Sequence, residues 1–73
     1  MTAVIEYTIS QRSPVTLDVY SISGAKVATL VWGVFDAGRH IVPFNPHNLA
    51  PGQYLYRLMV NGAAVTKQMT ILR

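Results

Sequence analysis

Apolar and polar residues alternate along this chain with a period of two, in short runs cut by Gly and Pro. The cuts fall at Pro14, Gly24, Gly33, Gly38, Pro43, Pro46, Pro51, Gly52 and Gly62. Between them the residues are rich in Val, Ile, Thr, Tyr and Leu, the composition of half-buried strands. The first predicted strand is Val4 to Ser10, with Ile5, Tyr7 and Ile9 on one face and Val4, Glu6 and Thr8 on the other. Gln11-Arg12-Ser13-Pro14 follows as a turn. The second strand is Val15 to Ser21, with Val15, Leu17 and Val19 inward and Thr16, Asp18 and Tyr20 outward. Ser21-Ile22-Ser23-Gly24 is the next turn, its Gly free to take positive φ.

The third predicted strand runs from Ala25 to Val31, with Val27 as its core residue. Residues 32 to 37 read as a connection carrying Trp32, Val34 and Phe35, closed by Asp36-Ala37-Gly38. The fourth strand is Arg39 to Phe44. Pro43 cannot donate to a ladder, which places this strand at an edge or ends it there. After a loop over Asn45 to Leu49, Ala50-Pro51-Gly52 predicts a type II turn. The fifth strand, Gln53 to Val60, alternates most clearly: Tyr54, Tyr56, Leu58 and Val60 oppose Gln53, Leu55, Arg57 and Met59. Asn61-Gly62 is the strongest local signal, because both central residues of a type I′ turn need positive φ. The sixth strand, Ala63 to Leu72, pairs back, with Val65, Met69 and Ile71 sharing a parity with Lys67. No segment holds a helical apolar period. The fold class is all-β: one small antiparallel β-sandwich of six to seven strands spanning residues 1–73.

Length bounds how firmly such a fold can hold. A folded chain of this mass exposes roughly 4,500 Å². Its buried apolar area is worth about 100 kcal/mol, and ordering the chain costs about the same. The 73 residues include no Cys, so no disulfide offsets that balance. Apolar residues make up 51% and charged residues 12%, too apolar for a disordered tail. The longest stretch without Gly or Pro, Met1 to Ser13, is too short for a membrane helix. It carries Glu6 and lacks a basic start, unlike a signal peptide. The net charge of +3 comes from having only three acids, Glu6, Asp18 and Asp36. The six basic residues are scattered, so no basic stripe suits nucleic acid.

Candidate chemistry is sparse. His40 and His47 lack a third metal ligand at workable spacing. Ser21, His40 and Asp36 supply the residue types of a hydrolytic triad without the strand-turn-helix motif that presents its serine. There is no glycine-rich phosphate cradle. No enzyme, cofactor or metal is expected. Trp32 and Phe35 are the residues most open to contact with a partner or a sugar, the alternative being a lid on the core. Tyr54 and Tyr56 read as core tyrosines with hydroxyls at the rim. Lys67 reads as a residue snorkelling at a sheet edge, or as part of a surface read by another protein. Weak self-association through an open sheet edge is a further expectation.

Several blocks, taken in order, resemble a known family. They are Ile5-Glu6-Tyr7-Thr8-Ile9, Val15 to Tyr20, Gly24 to Leu30, Ala37-Gly38-Arg39-His40, Gly52 to Leu58, Thr66-Lys67-Gln68-Met69 and Ile71-Leu72-Arg73. Their sequence and spacing resemble the type A C-terminal sorting domain of the type IX (Por) secretion system of Bacteroidetes-like bacteria. The same pattern is shared with the Ig-like domain of flagellar hook-capping proteins. The resemblance implies an Ig-like or fibronectin-like sandwich at the C-terminus of a larger secreted protein. It implies no catalysis. Its partners would be an N-terminal cargo domain and the secretion machinery of the outer membrane, and its destination the medium or the cell surface by way of the periplasm. A signal peptide would then lie on the cargo side. By this resemblance the recognised residues are Gly52, Tyr54, Lys67, Met69, Ile71, Leu72 and Arg73. The alternative is an Ig-like binding or structural module, for carbohydrate or for hook-cap assembly. The family's usual Pro-Asn-Pro-rich opening is not present ahead of Val4, so the chain reads as an excised domain.

Overall fold

The computed structural model describes residues 3–44 and 49–71. Six strands follow one another: β1 (Ala3–Ile9), β2 (Ser13–Ser21), β3 (Lys26–Phe35), β4 (Gly38–Phe44), β5 (Gly52–Val60) and β6 (Ala63–Ile71). Every pairing is antiparallel. The strands form two facing sheets, β1-β4 and β3-β2-β5-β6. The sandwich is therefore lopsided, two strands over four. Its surface of 4740 Å² lies close to what the mass alone predicts.

Alternation places the core. Ile5, Tyr7 and Ile9 of β1 turn inward to meet Val15, Leu17 and Val19 of β2. One apolar cluster joins Tyr7, Ile9 and Val15 to half-buried Val31, Phe35, Val42, Leu58 and Val60. The other joins Val19, Phe44, Tyr54 and Ile71 to Leu30, Leu49, Tyr56 and Met69. The Asn61-Gly62 turn forms as predicted, with φ of 50° and 85°. The Asn61 N–H also donates to the Pro14 carbonyl at 2.9 Å, tying the hairpin tip to the start of β2.

Three expectations are corrected. β3 does not stop at Val31 but continues through Trp32 and Phe35, paired with β2 as far as Ser13. Gly33 does not break it: glycine accepts the φ of 149° that the strand takes there, and the Phe35 ring packs beside it. Val27 is not a core residue: it is 38% exposed. Register shifts in the β2–β3 ladder put extra residues into β3, so Ala28 and Leu30 face the core instead. Asp18, expected outward in water, is 7% exposed. The Thr29 hydroxyl donates to its carboxylate at 2.7 Å, and the Lys26 ammonium stands 3.6 Å away. Those two side chains close over it.

The Ala50-Pro51-Gly52 segment also differs in detail. Gly52 has φ 150°, not the roughly +80° of a type II turn, and it is the first residue of β5. A side chain at that angle would be strained, although nothing lies within 4 Å of where a Cβ would sit.

Candidate recognition surface

The β5–β6 hairpin carries the residues singled out by resemblance, and the fold gives them different settings. Tyr54 is buried and its hydroxyl donates to the Ala50 carbonyl at 2.7 Å. This bond from a tyrosine near a strand start back to upstream backbone fixes the entry into β5, as a tyrosine corner does in Ig-type sandwiches. Ile71 is buried and Met69 half-buried, both against the cluster of Val19 and Phe44. Lys67 lies opposite Tyr56 in the β5–β6 register and is exposed. Leu72 and Arg73 lie outside the described residues. Within the hairpin, then, Lys67 is accessible, while Tyr54, Met69 and Ile71 hold the strands in place.

Edge position governs the rest of the hairpin. β6 is the outer strand of the four-stranded sheet. All six residues from Ala63 to Gln68 are exposed, whichever face they point to. Val65, opposite Leu58, is 51% exposed although it points to the core side. The Gln68 and Gln53 side chains bond to each other across the outer face.

Trp32 and Phe35 part company. Phe35 folds against Tyr7, Ile9 and Val15, and its ring meets that of His40 edge-on at 5.8 Å. Trp32, on the outer face opposite Thr16, is 82% exposed. Val34, two residues on, shares that face and is also exposed.

The triad residues do not converge. His40 stacks on Tyr7 with centroids 5.2 Å apart, and its Nε2 bonds the Asp36 backbone carbonyl at 2.8 Å. The Asp36 carboxylate is taken by Arg12. Ser21 bonds Ser23 and sits eight residues along β2 from Ser13, the partner of Phe35. At ~3.3 Å per residue that is roughly 26 Å away. Among the described residues no three His, Cys, Asp or Glu side chains are grouped as metal ligands. His47 lies outside the described residues.

Burial pushes the Tyr7 phenol above its usual 10.0. Both folded and unfolded chains keep it neutral below that value, so its burial is then unopposed. Above it the unfolded chain ionises first, and stability is lost as the pH rises toward the folded value. Tyr7→Phe keeps the ring and removes the titration. Urea unfolding of the wild type should therefore weaken more between about pH 8 and about pH 11 than that of Tyr7→Phe. Parallel losses in the two proteins would show that this phenol is not the cause.

No family model, no curated protein and no solved structure matches this chain.

Proposed function

We propose that this domain is a non-catalytic sorting module, recognised by outer-membrane secretion machinery of the type IX kind and able to direct a fused cargo to the medium or the cell surface. The observation that carries the reading is the state of β6, an edge strand whose first half is uncovered on both faces around Lys67. A strand presented in this way offers backbone and side chains together to a receptor. Around it, the order of the sequence blocks is that of the sorting domains the chain resembles. In a host with this system, residues 1–73 fused behind a periplasmic reporter should move most of the reporter out of the periplasm. Retention of the reporter in the periplasm would defeat the proposal.

Trp32 favours a second reading, an Ig-like binding module, because an indole so exposed on the outer face of a sheet is a stacking platform. On this reading the domain binds a glycan or partner, and Trp32→Ala weakens that binding about tenfold, the worth of a ~1.5 kcal/mol stacking contact. A glycan array on which wild type and Trp32→Ala score alike rules out the carbohydrate form of it.

A further inference from the structure

The two-over-four layering leaves part of the larger sheet's inner face without an opposite strand. Strands in a sheet stand ~4.8 Å apart, so four span roughly 14 Å between outer axes and two span roughly 5 Å. The link from β3 to β4 is only Asp36-Ala37. Two residues reach across the ~10 Å between sheets and no further sideways. At that end β4 therefore starts over β3, with β1 beside it toward β5 and β6; at the far end Phe44 of β4 packs with Tyr54 and Ile71. Beyond the free edge of β1, the inner face of β5 and β6 next to the Asn61-Gly62 turn is left uncovered, whereas Tyr54 and Ile71 at the other end are buried. Val65 is exposed there, Leu58 and Val60 are half-buried, and Lys67 has no ion-pair partner among the described residues.

Edge protection points to the same place. Open strands are ordinarily guarded by bulges, prolines or charges. β3 has its register shifts, β4 has Pro43 and β6 has Lys67. β1 has seven residues in unbroken register, no Pro, and Glu6 as its sole charge, occupied by Arg39 at 3.0 Å. It is the unguarded edge of the described sheets, and it borders the uncovered apolar shelf.

We infer that β1 accepts a third strand: an extended segment of a partner polypeptide, about seven residues long, with apolar side chains at alternate positions and a carboxylate over Lys67. Its backbone completes the ladder of β1, and its inward side chains cover Val65, Leu58 and Val60. Lys67, set among apolar neighbours, selects the acidic residue. A second copy of this chain fits poorly. Antiparallel pairing of two β1 strands in full register centres on Glu6 and sets it against its own copy, and like charges directly opposite are destabilising. The inference stands apart from the export reading, because it concerns how a strand is bound and not what the binding is for.

The probe is a capped nine-residue peptide alternating Thr and Val, with one Glu placed in turn at each Val position; a second set carries Lys there. Backbone amide exchange and methyl shifts of the full 73-residue chain are followed by NMR as peptide is added. Expected are slowed exchange at alternate β1 amides and shifts of the Val65 and Leu58 methyls. Lys67→Glu should lower affinity for the best Glu peptide about five-fold and raise it for the Lys peptide, with Lys67→Gln between them, as a partly exposed charge pair of ~1 kcal/mol between the facing sheets requires. Exchange protection appearing at β3, β4 or β6 instead, no β1 protection at millimolar peptide, or equal affinities in all three proteins would overturn the inference. So would sedimentation showing a dimer with β1 already protected in the absence of peptide.

Discussion

Leu17→Ala is expected to lower the unfolding free energy by about 3–4 kcal/mol. Leu17 is 0% exposed and sits in the second strand of the larger sheet, between Val31 of β3 and Leu58 of β5. On its own strand it stands between Val15 and Val19, which belong to the two separate apolar clusters. Its removal opens a cavity where those clusters meet, and the two-stranded sheet above is too narrow to settle into it. Domains have roughly 0.05–0.15 kcal/mol of stability per residue, or about 4–11 kcal/mol for this length. A loss of this size is therefore about a quarter or more of the total. Urea unfolding checks it: with a slope of about 1 kcal/mol/M the midpoint should fall by about 3 M. Leu17→Met, nearly equal in volume, should cost less than about 1.5 kcal/mol. A loss for Leu17→Ala below about 1 kcal/mol would mean that Leu17 is not enclosed as described.

Why Leu17 could be placed from the sequence, and Val27 could not, is a matter of range. Period-two alternation reports which side of a strand faces inward, provided the ladder is regular. β1, β2 and β5 are regular on their core faces, so Ile5, Tyr7, Leu17, Val19 and Tyr54 fall where the pattern puts them. β3 is not. Its register shifts against β2 turn Leu30 inward and leave Val27 in water, and nothing local in Lys26 to Phe35 announces an extra residue. Asn61-Gly62 was legible because its requirement, positive φ at two successive residues, is met by few residue types. Gly33 misleads because glycine also serves inside a strand, at a φ that other residues rarely adopt.

The candidate surface was less legible for a related reason. The pattern gives Val65 and Lys67 the same inward parity as Ile71, and the register agrees. Whether an inward residue is covered depends on how many strands lie in the opposite layer. That is decided by the partners of β1 and β4, far away in sequence. Ile71 is covered and Val65 is not. Trp32 and Phe35 likewise look alike in the sequence, and only the tertiary fold separates the ring that packs on Tyr7 from the one that faces water.

Truncation after Thr66 should abolish both folding and export, and the comparison with Lys67→Gln separates the two causes. Residues 67–73 include Met69 and Ile71, which pack with Val19, Phe44 and Tyr54. Burying one such side chain is worth ~1.5–3 kcal/mol. The cut also removes the ladder partners of Gly52 to Tyr56, so the first half of β5 becomes an unpaired edge. Together these losses approach the whole stability of a domain this small. The truncated chain should show no cooperative unfolding transition, and a fused reporter should remain in the periplasm. Lys67→Gln removes an exposed charge that has no ion pair among the described residues, and should change stability by no more than about 0.5 kcal/mol. If β6 is read by a receptor through this side chain, export falls while the urea midpoint holds. If the machinery reads only that the domain is folded, the single variant is exported like the wild type and the truncation alone fails. Full export of the truncated chain would remove β6 from the recognition surface altogether.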